Sequence, residues 1–314
     1  MSASQLEPER ADALGLRTLI RVAETDAHEG PVYATDEDAL YFTSAPPGAA
    51  IKRLALDGDS LTRGPRDVSV VRADANAPNG MALNADGRLV VCEQGSSSEP
   101  ARIALVDRST GGRQTLVDGW SGLPLNSPND VVVKRDGSVW FTDPSYGFLQ
   151  GFRAAPMLAD AVYRHDPRTA ATTVAADAFD KPNGLAFSPD ERVLYVGDSG
   201  ANHEPGSYDP ARPHHVEAFD VVAGTRLTNR RLFAVITPGF PDGIKVDRAG
   251  RVYVSAFSGV QVFAPDGRPL GEIPLPGAVN FTWGGRDGDV LFITADTAIW
   301  AAVFDMPPTR SQEA

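Results

Sequence analysis

Six oxygen-bearing side chains recur at one position of a repeated segment: Glu29, Asn79, Asn129, Asn183, Asp242 and Asn280. Two are carboxylates, four are amides, and the set contains neither His nor Cys. Oxygen donors of this kind suit a hard divalent cation such as Ca2+, Mg2+ or Mn2+, whereas zinc prefers imidazole and thiolate. For a single Asn-Gly, turn chemistry is explanation enough, because Asn and Asp tolerate the conformations that turns need. For six in register it leaves unexplained why Ser, Thr, Gly and Lys never stand there. Two carboxylates facing one confined space also need a partner, and none of the six positions holds Lys or Arg. A bound cation answers both points. One divalent ion is expected, Ca2+ first, with Mg2+, Mn2+, Zn2+ and Fe2+ as alternatives.

These side chains meet only if the fold brings six distant segments together. Each begins a stretch of alternating apolar residues, then a tight turn, then a β-rich run. Seven residues after each start stand Asp36, Asp86, Asp136, Asp190, Ala249 and Asp287, and four of these turns continue with Gly87, Gly137, Gly250 and Gly288. Asp-Gly between apolar alternations is a strong hairpin signal. The starts lie 50, 50, 54, 59 and 38 residues apart, which leaves room for two more strands per unit. Third strands are expected at 51–56, 102–107, 161–165, 216–220 and 260–263. Four-stranded units at this period are propeller blades. The repeat therefore predicts an all-β fold, a six-bladed β-propeller with four antiparallel strands per blade. An N-terminal strand at 16–22 beside 298–303 would close the ring in the last blade. The propeller domain is expected over 16–304, between an N-terminal extension (1–15) and a C-terminal tail (305–314). Only 1–15 and 154–158 read as helix-tolerant.

In a propeller the first strand of each blade runs along the central channel, so the six residues should ring one mouth. The second strands return to that mouth and end at Thr43, Glu93, Asp143, Asp198, Ala256 and Thr294. Three acids there, with no basic residue close in sequence, predict a strongly electronegative opening. His28 adjoins Glu29 and is expected near the mouth, while His214 and His215 read as solvated loop residues. The long insertions at 94–100, 144–160 and 199–215 follow second strands. They carry Tyr146, Phe148, Phe152, His203 and Tyr208, suited to a compact polar ligand such as a sugar ring, or simply to packing the loops.

Composition narrows the function classes. The 314 residues include 30 Gly and 25 Pro, and 42% are apolar, which fits a turn-rich globular chain. Formal charge is 29 − 41 = −12, unfavourable for nucleic acid or an anionic membrane, whose non-specific binding depends on Lys and Arg. The single cysteine, Cys92, lies in an apolar run and excludes an internal disulfide framework. The first fifteen residues, acidic and without an apolar core, do not read as a secretory signal, and no run approaches about 18 apolar residues. A cytoplasmic monomer or small homo-oligomer is expected.

Four stretches, taken together, resemble the gluconolactonase/regucalcin (senescence-marker-protein) family. They are His28-Glu29-Gly30-Pro31, Asn126-Ser127-Pro128-Asn129-Asp130 running into Phe141-Thr142-Asp143-Pro144, the segment from Pro182 to Asp190, and Pro241-Asp242-Gly243. The likeness spans 16–303, and the bacterial gluconolactonases are most similar. It implies a six-bladed propeller with one divalent metal held by Glu29, Asn183 and Asp242. Asn129 would be a further ligand or a substrate contact. It also implies hydrolysis of a sugar lactone; beside Asn129, the register and the loops offer Asn79, Glu93, Tyr146 and Asn280 as substrate-binding candidates. Two departures stand out: Ser127 replaces the Arg of regucalcin-type members, and Gln94 replaces a His frequent after the second-blade strand.

The expected mechanism is metal polarisation of the lactone carbonyl followed by attack of water. Asp242 is the candidate general base, with a metal-bound hydroxide as the alternative. Asp130 stands where most blades have Gly, and is a candidate to hold a ligand Asn or to move a proton. No GxSxG nucleophile occurs. The alternatives are a metal-dependent aryl-ester or phosphotriester hydrolase, a non-catalytic calcium-binding propeller, and a protein-interaction scaffold.

Overall fold

A computed structural model describes residues 14–45, 49–56, 61, 66–204 and 206–305. Six four-stranded antiparallel sheets form the blades of a β-propeller. The innermost strands are Glu29–Ala34, Pro78–Leu83, Val131–Val133, Pro182–Phe187, Ile244–Val246 and Asn280–Gly284. The second strands end at Thr43, Glu93, Asp143, Asp198, Ala256 and Thr294, as the register required, and the five expected third strands form.

The second strands explain why the blades stack. Ala39–Thr43, Leu89–Glu93, Val139–Asp143, Val252–Ala256 and Val290–Thr294 are buried at every residue. A strand covered on both faces reads as a continuous apolar run. Alternation sends neighbours to opposite junctions: Trp140 packs between blades 3 and 4, Phe141 between blades 2 and 3. One apolar cluster fills each of the six junctions, including that between blades 6 and 1, so the ring is closed. The Asp-Gly turns behave as expected, with Gly87 at φ 74° and Gly137 at φ 84°.

The closing strand is longer than expected, Leu16–Ala27 rather than 16–22, and pairs with Asp296–Phe304 from Leu16↔Phe304 to Ala27↔Asp296. The chain stays paired until it enters blade 1 at Glu29. That continuation brings His28 beside Asp296. The expected helix-tolerant segment 154–158 is irregular, and 1–13 lie outside the described residues, as do 306–314 of the tail. A single-turn helix forms at Tyr146–Leu149 instead.

Candidate functional site

The ring residues are set by contacts between blades. Gly80 N–H donates to the Asn129 carbonyl (2.8 Å), Gly184 N–H to that of Asp242 (3.1 Å) and Gly243 N–H to that of Val279 (3.1 Å). A Cβ on Gly184 would fall on the Asp242 carbonyl oxygen, and one on Gly80 would crowd the Asn129 backbone. Hydroxyls from second strands reinforce the seam: Thr43 Oγ1 donates to the Asn79 carbonyl (3.1 Å) and Thr142 Oγ1 to that of Asn183 (2.9 Å). With the backbone held from both sides, the side chains turn towards the axis.

They surround a cavity of about 170 Å3 lined by Glu29, Asn79, Asn129, Asn183 and Asp242, with Tyr146 and Gln150 from the loops. His28, Ser44, Pro78, Gln94, Asn202 and Phe240 complete the wall. Glu29 is 2% exposed, while Asp242 is partly open to the cavity. Burial first, then the charges of Asp242 and Asp130, push the Glu29 carboxyl up to about 8. Burial likewise raises Asp242 to about 6, against the opposing pull of His28 and Asn183. His28 donates or accepts at Nδ1 with Asp296 Oδ1 (2.7 Å). Burial disfavours its charge, but Asp296, Glu29 and Asp242 outweigh that and raise it to about 9.

The donor set fits a divalent cation on two observations. The Oδ1 atoms of Asn79 and Asn129 are buried without a hydrogen-bond partner, each an unmet desolvation cost of about 1–3 kcal/mol. The Glu29 and Asp242 carboxylates line one cavity and each raises the cost of the other's charge, a situation that a cation relieves. Glu29 Oε2 is occupied by the Gly30 N–H (2.9 Å) and Asn280 Nδ2 (2.7 Å), leaving Oε1 for a ligand. Among the described residues no three His, Cys, Asp or Glu side chains gather as a metal group. The set is two carboxylates plus amides.

Three sequence-derived assignments need correction. Glu93 does not face the cavity: it is fully buried, with Oε2 3.2 Å from Arg102 Nε and 3.1 Å from Arg113 Nη1. Those arginines stand on the outer strands of its own blade and consume its charge. Asn280 does not line the cavity; its amide is shared between Glu29 and Lys245. Asp130 does not line it either, and its Oδ1 accepts the Val131 N–H (2.8 Å), so it holds no ligand Asn. The second-tier acids expected to make the mouth electronegative do not line the cavity. Asp143 accepts the N–H groups of Asn126 and Ser127 (both 2.8 Å), and Asp198 those of Asp180 and Lys181 (both 2.9 Å). In both blades the acid anchors the residues two and three places before the ring Asn. Of the five loop side chains singled out, Tyr146 alone lines the cavity; Phe148 is 47% exposed, and Tyr208 packs against Phe257 and His214.

Residue identity alone did not reveal His28–Asp296, Lys245 or Arg153. Lys245 had a signal: three places after the ring residue, the other blades carry Val32, Ala82, Val132, Ala186 and Trp283. Arg153 donates to the carbonyls of Asn126 (3.0 Å), Ser96 (3.0 Å), Leu125 (3.1 Å) and Glu99 (3.3 Å), tying three loops together. Ser127 Oγ joins them, donating to the Pro144 carbonyl (2.6 Å) and accepting from Gly147 N–H (2.9 Å). Arg153→Ala is expected to raise KM roughly tenfold while changing kcat less, since the loops that set Tyr146 and Asn129 lose a common anchor. Lysine should not rescue it, because one ammonium cannot span four carbonyls. Steady-state kinetics of Arg153→Ala and Arg153→Lys check this; an unchanged KM in both would contradict it.

Residues 27–297 match the SMP-30/Gluconolactonase/LRE-like region. The chain is 33% identical to a gluconolactonase of Zymomonas mobilis, over 91% of this chain and 82% of the relative. It is 27% identical to a pentonolactonase of Haloferax volcanii, over 88% and 84% respectively. A solved structure of a gluconolactonase from Xanthomonas campestris superposes with a TM-score of 0.79 at 35% identity, over 94% of this chain and 92% of that one. Among the described residues no helix is long and apolar enough to cross a membrane.

Proposed function

Since the chain belongs to the SMP-30/gluconolactonase/LRE-like family, we propose that it opens a sugar lactone to its aldonic acid in the channel cavity, with one divalent ion held by Glu29, Asn129, Asn183 and Asp242. It is a lactone-hydrolysing carboxylic ester hydrolase. The observation that carries the metal-dependent reading is the convergence of these four side chains on one cavity, with the buried carboxylate of Glu29 and an Asn129 amide oxygen that no protein donor satisfies. A divalent ion bound there would polarise the lactone carbonyl and offset the charge that builds on its oxygen.

The remaining steps belong to the chain. Asp242, the ring carboxylate most open to the cavity, takes a proton from the attacking water as its oxygen bonds to the carbonyl carbon. The bond from that carbon to the ring oxygen then breaks, and the ring oxygen takes up the proton that Asp242 holds, forming the alcohol of the product and regenerating the base. Asn79 Oδ1, buried without a partner, and the cavity-lining Tyr146 would meet substrate hydroxyls. A cavity of about 170 Å3 has room for one compact polar molecule.

The test is turnover of glucono-δ-lactone before and after EDTA, with metal content measured alongside. Chelation is expected to stop turnover, and added Ca2+ or another divalent ion to restore it. A fully active enzyme with its metal verifiably removed overturns the metal-dependent reading.

A further inference from the structure

Beneath the cavity the channel holds a third carboxylate and one ammonium. Asp130 is buried, and its Oδ2 has no hydrogen-bond partner but lies 3.8 Å from Lys245 Nζ. Lys245 stands on the innermost strand of blade 5, three residues past Asp242, with a side chain 22% exposed. Its Nζ donates to Asn280 Oδ1 (3.2 Å), which also accepts the Phe281 N–H (2.8 Å). Asn280 Nδ2 in turn donates to Glu29 Oε2 (2.7 Å). Lysine has no acceptor, so its contact fixes which end of the Asn280 amide meets Glu29. One ammonium thus faces Asp130 directly and Glu29 through a single amide.

The charges set the capacity of the hub. Glu29, Asp242 and Asp130 are three formal negative charges and Lys245 is one positive charge, while the charge of His28 is matched by Asp296, 2.7 Å from its Nδ1. The sum is −2, which a single divalent ion neutralises. Without Lys245 the sum is −3, and the two oxygens its ammonium faces, Asp130 Oδ2 and Asn280 Oδ1, are left as donors for a second cation.

We propose that Lys245 is a built-in counter-ion that fills the deep channel, holds the hub to one divalent ion, and orients Asn280 towards Glu29. The inference rests on the metal-dependent reading of the cavity above. Lys245→Met keeps an unbranched side chain, one atom shorter, and removes its charge.

The test counts Mn2+ bound to the intact chain by native mass spectrometry and records its electron paramagnetic resonance. Wild type is expected to saturate at one ion with an uncoupled spectrum. Lys245→Met is expected to take two ions, with dipolar broadening from two nearby spins. Lys245→Arg should keep one, and the double variant Lys245→Met with Asp130→Asn should return to one. Lys245→Met that holds one ion at unchanged affinity overturns the proposal. So does a spin-coupled pair in wild type, a result that does not depend on any variant folding. Wild type that binds no ion overturns the metal-dependent reading itself, which separates the two failures.

Discussion

Asp242→Asn is expected to lower kcat/KM for lactone opening by roughly 10³-fold, the scale of losing a positioned general base, and to reduce bound metal per chain. The substitution is nearly isosteric. The Asp242 backbone, which accepts the Gly184 N–H, is untouched, so the seam between blades 4 and 5 should persist. Stability separates this from a folding defect. Burial and like charge raise Asp242 to about 6 and Glu29 to about 8. Carboxyls raised in the folded state favour folding while protonated. That contribution is complete below the ordinary carboxylate range near 4 and is lost as pH rises through about 6 and then 8. In chelator at pH 8, Asp242→Asn should therefore melt no lower than the parent, and the difference should shrink towards pH 4. A variant that is both inactive and strongly destabilised at pH 8 would show that Asp242 acts as a structural brace instead.

The same logic shows which parts of the site the sequence makes legible. The hub was legible because its cause is local and repeated. Period-two alternation and an Asp-Gly turn at a constant offset determine where each blade begins, and hence which residue meets the axis. The second tier was not legible, because residues at one register position take partners from elsewhere. Glu93 meets Arg102 and Arg113 across its own sheet, while Asp143 and Asp198 meet backbone N–H groups of incoming loops. Residue type gives the charge but not the partner that uses it. The helix at Tyr146–Leu149 is similar: four residues including Gly147 carry no helical signal. Its position follows from the Gly147 N–H reaching Ser127 Oγ and from the Phe152 and Arg153 N–H groups reaching the Gly147 carbonyl. His28 and Asp296 are separated by 268 residues and meet only because the closing strand stays paired to Ala27.

Gly184→Ala is the sharpest test of how the hub is built. The Asn-Gly and Asp-Gly pairs at the ring suggest turns with a left-handed glycine, and Gly30 does adopt φ 57°. Gly80, Gly184 and Gly243 do not; their φ angles are ones any residue adopts. What excludes a side chain at Gly184 is the next blade, since its Cβ would land on the Asp242 carbonyl oxygen and within 2.9 Å of Ile244 N. Backbone cannot yield as the tip of a side chain can, so blades 4 and 5 must part. Overpacking of this kind costs about 1–3 kcal/mol. It also moves Asp242 and Asn183 relative to each other, and a misplacement of about 1 Å costs roughly 10²-fold in rate. Gly137→Ala is the matched control: Gly137 sits at φ 84° in a hairpin turn with open space around its Cβ. It should lose about 1 kcal/mol from left-handed strain and keep kcat/KM. Urea melts and lactone kinetics on the pair decide the matter. If Gly184→Ala behaves like Gly137→Ala, the glycine serves the local chain alone, and the close approach of neighbouring blades is not what aligns the two ligands.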